Sequence, residues 1–406
     1  MGTYGMVIVG AGEAGVRAAF ALREQGYQGS VTLIGDEPHL PYERPPLSKI
    51  GAEAETVRPI AAQERFAEAG ITLLRGQKVV SIDPIRHILA IEGDDPIPYE
   101  RLLLATGASP RQLAGVGPGG RIHVLRTVEH AAAIRRHMRE GSHLAVLGGG
   151  FIGLELAAMG RTLGADVTLI EAQPRILMRG VPERLALALQ ARHVTEGVSL
   201  ICGVAFDTIE EGEGCVTISL ADGRRIEVDA LVVGIGAQPN TRLAAEAGLV
   251  VDNGIAVNDH LCTSDPDIFA AGDCCSFPVA AYGGRRVRLE SWRNTQEQGN
   301  VAAANMLGKA EAFEAIPWFW SDQYDLTLQV AGLSDGATAT VGRVLSPEAE
   351  ILFHLDGDGR LLAASGLGPG GAVARDIRLA EMLIARRAHP DPAALADPSV
   401  KLKSLL

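Results

Sequence analysis

The sequence predicts an α/β fold with two Rossmann-like dinucleotide-binding domains and a C-terminal α+β domain. A glycine-rich turn lies between a short apolar strand and a helix near the N-terminus, and a second unit of this kind begins at Leu144. Beyond Gly332, strand-like stretches alternate with turns and lead into a helix, which predicts the last domain. A chain of 406 residues is long enough for two or three domains.

The first unit runs from a buried strand at residues 5–9 into a helix that extends to Glu24. Gly10 permits the tight turn, Gly12 lets the backbone approach a pyrophosphate, and Gly15 lets helix and strand pack closely. The first N–H groups of the helix and the helix dipole favour a negatively charged ligand. We therefore expect a dinucleotide at this turn.

An acidic residue follows the second strand of this unit, Val31–Ile34. Asp36 lies where a carboxylate can accept hydrogen bonds from an adenosine ribose, and its neighbour Glu37 is an alternative. The next segment, residues 40–49, contains three prolines and is predicted to be a fixed, non-helical loop. Lys49 ends it and can present a positive charge to a phosphate or a ring carbonyl.

The second unit repeats the first, with a strand at residues 144–147, a helix at 154–163 and a strand at 166–170. Its glycines are Gly148, Gly149, Gly150 and Gly153. Glu171 follows the second strand, and a carboxylate there repels a 2′-phosphate, which favours NADH over NADPH. Arg175 and Arg179 lie nearby and leave NADPH open.

The first domain is expected to resume after the second. Residues 263–273 end a short buried strand in Gly272-Asp273, where Asp273 can accept a hydrogen bond from a ribityl hydroxyl of a flavin. The predicted boundaries are 1–112 and 243–318 for an FAD-binding domain in two parts, 113–242 for an NADH-binding domain and 319–406 for the α+β domain.

Composition excludes several classes of protein. A net charge of −12 argues against nucleic-acid and membrane-surface partners. No apolar run approaches the roughly 18 residues of a membrane helix, and no secretory signal is visible, so we expect a cytoplasmic protein. The five cysteines form no C-x-x-C pair and have no zinc spacing with histidine, which predicts no metal site.

Four motifs resemble those of the FAD-dependent NADH–ferredoxin reductases that serve bacterial cytochrome P450s and aromatic-ring dioxygenases. They occupy residues 44–49, 151–155, 263–273 and 317–324. The resemblance covers the whole chain and implies a glutathione-reductase-like arrangement in which the NADH domain is inserted into the FAD domain. It also implies FAD and NADH as cofactors.

Carried over residue by residue, the resemblance implies two sets of cofactor contacts. The FAD contacts would be Gly12, Ala14, Asp36, Lys49, Val79, Arg126, Asp273 and Trp292, with Arg44 also in the cofactor site. The NADH contacts would be Gly149, Ile152, Glu155, Glu171 and Gly236. Lys49 and Glu155, the expected catalytic residues, would lie near flavin N5, and Trp292 and Trp320 would lie at the flavin ring.

The resemblance implies hydride transfer from NADH to the flavin, followed by single-electron transfer to a [2Fe–2S] ferredoxin. Glu155 would orient the nicotinamide carboxamide, and Lys49 would stabilise the negative charge of the reduced flavin. Because such ferredoxins are usually acidic and this chain is acidic too, docking needs a local basic patch. The candidates are Arg285, Arg286, Arg288 and Arg293, together with Lys401 and Lys403.

Three other functions remain open. Disulfide reductases, and related NADH oxidases and peroxidases, use cysteines in the loop of the first domain, but residues 38–60 contain none. Cys274 and Cys275 adjoin the flavin motif, and we expect them to be packing thiols. A related flavoprotein with rubredoxin or oxygen as acceptor is a second possibility, and an NADH-sensing binding protein like apoptosis-inducing factor is a third.

Overall fold

The computed structural model describes residues 4–49, 58–113 and 120–406, and these form two compact units. The described part of the first unit comprises residues 4–43, 58–109 and 238–317. The second comprises residues 44–49, 110–113, 120–237 and 318–406. The predicted fold class is confirmed, since two parallel five-stranded sheets are followed by an antiparallel sheet and a helix. The four predicted domain ranges stay a prediction.

A parallel sheet forms the centre of the first unit. Its strands, in spatial order, are Ile268–Ala270, Arg101–Leu104, Met6–Val9, Val31–Ile34 and Ile71–Leu74. Strands that are covered on both faces read as continuous apolar runs, as Met6–Val9 does with all four residues buried. The strand Ile268–Ala270 comes from late in the chain, so this sheet combines two distant parts of the sequence.

The other elements of the first unit surround this sheet. Two smaller sheets consist of Val79–Asp83, Ile88–Ile91 and Ile97–Pro98, and of Ile255–Ala256, Cys275–Val279 and Arg285–Val287. The helices are Glu13–Glu24, Gln63–Glu68, Arg242–Glu246 and Trp292–Met306, with a 3₁₀ turn at Ala280–Tyr282. The first and last of these α-helices pack closely, since a Cβ on Gly299 would lie 2.7 Å from the carbonyl oxygen of Ala14.

The second unit begins with a parallel sheet of the same kind. Its strands, in spatial order, are Val198–Cys202, Asp166–Glu171, His143–Leu147, Ala230–Val233 and Ile122–His123. An antiparallel sheet consists of Phe206–Glu211, Val216–Leu220 and Arg225–Val228. The helices of this part are Val128–Arg135, Phe151–Thr162 and Glu183–Thr195. Two short strands, Ala108–Pro110 and Ala237–Pro239, lie where the chain passes between the units.

The C-terminal part of the second unit is a five-stranded antiparallel sheet with helices. Its strands, in spatial order, are Trp318–Gln323, Leu326–Gly332, Leu361–Pro369, Ala349–Leu355 and Ala339–Ser346. The helices are Ala374–Ala385 and Pro392–Ala396, with a 3₁₀ turn at Leu402–Leu405. Leu328, Val330 and Leu352 of this sheet share one core with the second parallel sheet, which makes the two a single unit.

The sequence did not indicate the first two of these strands. In Trp318–Gln323 the polar residues Ser321 and Gln323 are the most buried, each about 1% exposed. When the buried side chains of a strand are polar, the sequence does not show the alternation of apolar and polar residues that marks an amphipathic strand. The pattern therefore became recognisable only beyond Gly332.

Two further expectations need correction. Residues 40–49 were expected to be non-helical, but Pro45–Ser48 is a 3₁₀ turn, because two prolines with preset φ suit the first positions of a helix. The sequence also predicts a helix over residues 60–70, and the structure has a shorter one, Gln63–Glu68. Among the residues that the structure describes, no helix is long and apolar enough to cross a bilayer.

Candidate functional site

The first glycine turn leaves no room for side chains at two of its positions. A Cβ on Gly10, whose φ is +109°, would lie 2.1 Å from the carbonyl oxygen of Ala105, and one on Gly15 would lie 1.9 Å from that of Gly10. Gly12 differs, because a Cβ there would meet nothing within 4 Å. Gly12 is also the N-cap of the helix Glu13–Glu24, and no side chain caps the helix there.

The second glycine turn has the same geometry. A Cβ on Gly148, whose φ is +110°, would lie 2.4 Å from the carbonyl oxygen of Gly234, and one on Gly153 would lie 2.1 Å from that of Gly148. Gly150, the N-cap of the helix Phe151–Thr162, has nothing within 4 Å and no side-chain cap. Each turn therefore offers an open cradle at a helix N-terminus, and a diphosphate fits that arrangement.

Glu171 lies at the edge of the second cradle. Its Oε2 accepts a hydrogen bond from the backbone N–H of Gly149 at 2.7 Å, and its Oε1 accepts one from that of Gln173 at 2.7 Å. The guanidinium of Arg175 donates instead to three backbone carbonyl oxygens within its own loop, those of Ile176, Leu177 and Val181. The fixed charge at this edge is therefore negative.

The corresponding acids of the first unit differ in their surroundings. Asp36 is exposed, whereas Glu37 is half-buried and its Oε2 accepts a hydrogen bond from the hydroxyl of Tyr42 at 2.5 Å. The side chain of Glu37 is thus engaged within the chain, which favours Asp36 as the residue open to a ligand.

A cluster of polar side chains surrounds Glu155 in the second unit. We call it the Glu155 cluster; its members are Ser48, Lys49, Glu155, Trp320, Ser321 and Asp322. The rings of Phe151 and Phe319 lie 4.9 Å apart and pack the helix that carries Glu155 against the strand Trp318–Gln323. The 3₁₀ turn Pro45–Ser48 adds Ser48 and Lys49, so three distant segments build the cluster.

Neutral donors, and not the lysine, contact the Glu155 carboxylate directly. The hydroxyl of Ser321 donates to Oε1 at 2.7 Å, and that of Ser48 donates to Oε2. Lys49 Nζ lies 3.9 Å from Glu155 Oε1 but 2.6 Å from Asp322 Oδ2, and it lies 5.0 Å from the centre of the Trp320 ring. Lys49 is thus held by Asp322 and Trp320.

The two carboxyl groups of the cluster have opposite pKa shifts. Burial raises the pKa of Glu155, although the charge of Lys49 and the hydroxyls of Ser48 and Ser321 act to lower it. Burial also acts to raise the pKa of Asp322, but its contact with Lys49 and the donors Thr327 and Trp320 outweigh burial, so this pKa is lowered. The cluster therefore holds one carboxyl group whose pKa is lowered, Asp322, and one whose pKa is raised, Glu155.

A second group of contacts lies beside the first glycine turn. The Glu13 carboxylate accepts hydrogen bonds from the amide of Gln296 at 2.8 Å and from the indole of Trp292. Burial raises the pKa of Glu13, and these two hydrogen bonds act to lower it. This pair of contacts ties the helix Trp292–Met306 to the start of the helix Glu13–Glu24.

The remaining site residues are distributed over both units. In the first unit Ala14 and Val79 are buried, while Asp273 is half-buried. In the second unit the Arg44 guanidinium donates to the carbonyl oxygen of Arg126 at 2.6 Å. Gly236, with φ of +105°, accepts a hydrogen bond at its carbonyl oxygen from the N–H of Arg111, and Ile152 is exposed at the start of its helix.

Sequence reasoning missed several members of these contacts. Ser48 lies in the motif at residues 44–49, and Ser321 and Asp322 lie in the motif at residues 317–324, but nothing in the sequence indicated that they would surround Glu155. The available signal was the polar residues at alternate positions of an aromatic strand. Glu13 lay within the first glycine motif and was passed over, because the motif assigns no role to that position.

The cysteines are placed as expected. All five are free thiols, and Cys274 and Cys275 are fully buried. Burial raises the pKa of both thiols. The Cys274 thiol donates toward the carbonyl oxygens of Leu104 and Ala271, so both cysteines act as packing residues.

Comparison with known proteins places this geometry in a family. The model of the pyridine nucleotide-disulphide oxidoreductases matches residues 4–299, and that of the reductase C-terminal domain matches residues 318–406. The chain belongs to the pyridine nucleotide-disulphide oxidoreductase family. The two cradles lie within the first match and the strand Trp318–Gln323 lies within the second.

Individual relatives are similar over 80% or more of the chain. The ferredoxin–NAD(+) reductase component of the anthranilate 1,2-dioxygenase system of Burkholderia cepacia is 40% identical over 98% of this chain and 98% of its own. The crystal structure of the covalent putidaredoxin reductase–putidaredoxin complex matches with a TM-score of 0.92 and 36% identity, covering 100% of this chain and 98% of that one. Rubredoxin–NAD(+) reductase of Pseudomonas putida is 40% identical over 80% of this chain and 86% of its own.

These matches confirm the predicted resemblance to the ferredoxin reductases. They also confirm the class of protein, an oxidoreductase that uses NAD(H) and carries FAD.

Mutation can distinguish the glycine of the second turn that is needed for close packing, Gly153, from the one that leaves open space, Gly150. We expect Gly153→Ala to lower the free energy of unfolding by about 2 kcal/mol, because the added methyl group overpacks against the Gly148 carbonyl oxygen. Gly150→Ala should change stability by less than about 0.5 kcal/mol, since the space is open, but should weaken NADH binding more than about tenfold. Urea unfolding and fluorescence titration with NADH measure the two effects. NADH binding by Gly150→Ala at wild-type strength would contradict the assignment of the cradle.

Proposed function

We propose that this protein is an FAD-containing reductase that passes electrons from NADH to a [2Fe–2S] ferredoxin, which supplies a cytochrome P450 or an aromatic-ring dioxygenase. The observation that carries the proposal is the pair of open glycine cradles in one chain, which fits two dinucleotides. The resemblance to ferredoxin reductases over 98% of the chain supports the acceptor. Bound FAD supplies the hydride acceptor for NADH and the single-electron donor to the iron–sulfur centre.

The cradle at Gly12 is assigned to the FAD pyrophosphate. Two features support this: the open space at Gly12 and the exposed Asp36 after the second strand, which suits an adenosine ribose. The other proposed FAD residues are Gly10, Ala14, Gly15, Arg44, Lys49, Val79, Arg126, Asp273, Trp292 and Trp320. The contact of Trp292 with Glu13 supports its place beside this cradle.

The cradle at Gly150 is assigned to NADH. Glu171 at its edge, already fixed by two backbone N–H groups, would accept hydrogen bonds from the ribose hydroxyls. The other proposed NADH residues are Gly148, Gly149, Ile152, Gly153, Glu155 and Gly236. Ile152 leaves apolar surface exposed next to the cradle, which suits contact with a nucleotide ring.

Lys49 and Glu155 are the proposed catalytic residues. Asp322 and the Trp320 ring hold the Lys49 ammonium in place, so it is positioned to stabilise a developing negative charge nearby. Glu155 is held by two hydroxyl groups, which leaves its remaining lone pairs for the amide of a carboxamide. Neither residue transfers a proton in the hydride step; both act by position and charge.

Steady-state oxidation of NADH with a panel of purified acceptors tests this function. We expect a yellow protein whose absorbance near 450 nm is bleached by NADH, with rapid turnover when a [2Fe–2S] ferredoxin is present. A colourless protein that does not take up FAD would contradict the proposal.

Rubredoxin belongs in the same panel, because a rubredoxin reductase is 40% identical to this chain. Turnover with rubredoxin and none with any ferredoxin would support that second acceptor. A reduced protein that persists with every acceptor would favour an NADH-sensing binding protein.

The loop after the second nucleotide strand supports NADH over NADPH. The Arg175 guanidinium donates to three carbonyl oxygens of its own loop. Of Arg175 and Arg179, the exposed one that could meet a 2′-phosphate is therefore Arg179. Glu171 would repel that phosphate. We also infer a cytoplasmic location, because five free cysteines suit a reducing compartment.

Glu171→Gln tests this preference. Removing the charge should raise the ratio of kcat/KM for NADPH to that for NADH about tenfold, which corresponds to about 1.4 kcal/mol. The amide oxygen can still accept from one backbone N–H. Glu183→Gln, an exposed carboxylate at the start of the helix Glu183–Thr195, is the matched control and should leave the ratio unchanged. An unchanged ratio in Glu171→Gln would count against the assignment.

We infer that ferredoxin docks on the basic patch of Arg285, Arg286, Arg288 and Arg293, because an acidic partner needs local positive charge on a chain of net charge −12. Arg285 is exposed, and Arg286 donates to the carbonyl oxygens of Val257 and Ser276, which do not cancel its charge. Arg288 and Arg293 form ion pairs with Glu290 and Glu297 at 2.6 and 2.9 Å. The proposed patch therefore combines two exposed arginines, Arg285 and Arg286, with two that are ion-paired.

Arg285→Glu should lower kcat/KM for ferredoxin about fivefold to tenfold at low ionic strength and leave the rate with ferricyanide unchanged. Arg225→Glu changes the net charge equally at an exposed position of the other unit, so it controls for long-range repulsion. The effect of Arg285→Glu should fade as salt is added. Equal losses with ferredoxin and ferricyanide would refute the patch.

A further inference from the structure

A chain of hydrogen bonds extends from Glu155 into the interior of the second unit. The Ser321 hydroxyl donates to Glu155 Oε1 at 2.7 Å, and Gln323 Nε2 donates to Ser321 Oγ at 3.1 Å. Gln323 Oε1 lies 2.9 Å from His193 Nε2, and His193 Nδ1 lies 3.3 Å from the hydroxyl of Tyr324. His193, Ser321 and Gln323 are each at most about 1% exposed, so water does not compete for these bonds.

The carboxylate at one end fixes the direction of every bond in this chain. An ionised Glu155 only accepts, so Ser321 must give it its single hydroxyl proton and can only accept from its other neighbour. Gln323 therefore turns its amide NH₂ toward Ser321 and its oxygen toward His193. His193 must then carry its proton on Nε2, which leaves Nδ1 to accept from Tyr324. All four donors point toward Glu155.

We propose that Gln323 and His193 are positioning residues that keep Glu155 ionised and correctly oriented for the nicotinamide. The inference rests on the proposed role of Glu155 and deepens it. Neither residue would touch a cofactor. Gln323 would act on Glu155 through Ser321, and His193 would act through Gln323. Aligned hydrogen bonds polarise one another, so the loss of an outer link weakens the bond that reaches the carboxylate.

Glu155 needs this support because it shares its nearest cation, Lys49, with Asp322. Lys49 Nζ contacts Asp322 at 2.6 Å and is 3.9 Å from Glu155, while the Asp322 charge opposes ionisation of Glu155. Burial opposes ionisation more strongly than either charge. The donors Ser48 and Ser321 add to the contribution of the Lys49 charge, and Ser321 is itself backed by a further buried donor, Gln323.

The protonation states of His193 and Tyr324, at the end of the hydrogen-bond chain away from Glu155, fit this direction of the bonds. Burial lowers the pKa of His193, although Gln323 and the charge of Glu196 act to raise it, so the ring is neutral and has a free acceptor for Tyr324. Burial and the charge of Glu196 raise the pKa of Tyr324 to about 12, with Arg161 and Arg192 opposing, so its hydroxyl keeps the proton that it donates. A histidine that merely filled the core would need no such ordered partners.

The test follows the titration of Glu155 in the oxidised holoenzyme by infrared difference spectroscopy. The protonated carboxyl band that disappears in Glu155→Gln identifies the residue. We expect its midpoint to rise by about half a pH unit or more in Gln323→Met, which removes both links, and by about one unit in Gln323→Glu, whose carboxylate competes for the Ser321 proton. Tyr324→Phe, a mild change with the ring retained, should shift it in the same direction by less.

The pH profile of flavin reduction by NADH in single-turnover experiments supplies the second measurement, and its acidic limb should move with the midpoint. His354→Gln is the control, since His354 is a second buried histidine of this unit, and its ring nitrogens contact the hydroxyls of Thr340 and Ser365. It should move neither quantity. Thermal melts confirm that each variant is folded.

An unchanged Glu155 midpoint in folded Gln323→Met, Gln323→Glu and Tyr324→Phe would overturn the inference. A shifted midpoint with an unchanged pH profile of flavin reduction would support the chain but overturn the proposed role of Glu155. The two hypotheses therefore fail in different measurements.

Discussion

The close approach of a helix N-terminus to the end of the preceding strand is the constraint on which both glycine cradles depend. At Gly15 and Gly153 the helix backbone lies so near the turn that a Cβ would fall about 2 Å from a carbonyl oxygen. That contact fixes where each helix begins and directs its first N–H groups into open space. The chain leaves those groups without side-chain caps, which is costly for a helix alone and useful when a phosphate binds there.

Much of the fold could be predicted because its strands are continuously apolar and its turns need glycine. Val31–Ile34 was predicted with its exact bounds, since a buried parallel strand contrasts sharply with its flanks. The strand Trp318–Gln323 was missed because its inward side chains, Ser321 and Gln323, are polar. The local pattern of apolar and polar residues indicates which side chains are buried only when the buried side chains are apolar.

The surroundings of Glu155 could not be predicted for a different reason. Glu155 and Lys49 were assigned to the site by resemblance, but Ser48 and Ser321 reach Glu155 across separations of 107 and 166 residues. No spacing rule acts over such distances. Similarly, the sequence could not reveal that Lys49 would be nearer to Asp322 than to Glu155. The result is two carboxyl groups in one cluster whose pKa values move apart, as the contacts of each dictate.

Cys274 and Cys275 have a consequence for the durability of the protein. Thiols react with hydrogen peroxide as thiolates, and burial keeps these two protonated and away from solvent. Reduced flavins generate peroxide when they meet air. A redox protein with sulfur next to its proposed flavin contact at Asp273 is therefore protected from sulfenic acid formation there, and slow oxidative damage should begin at its more accessible sulfur atoms instead.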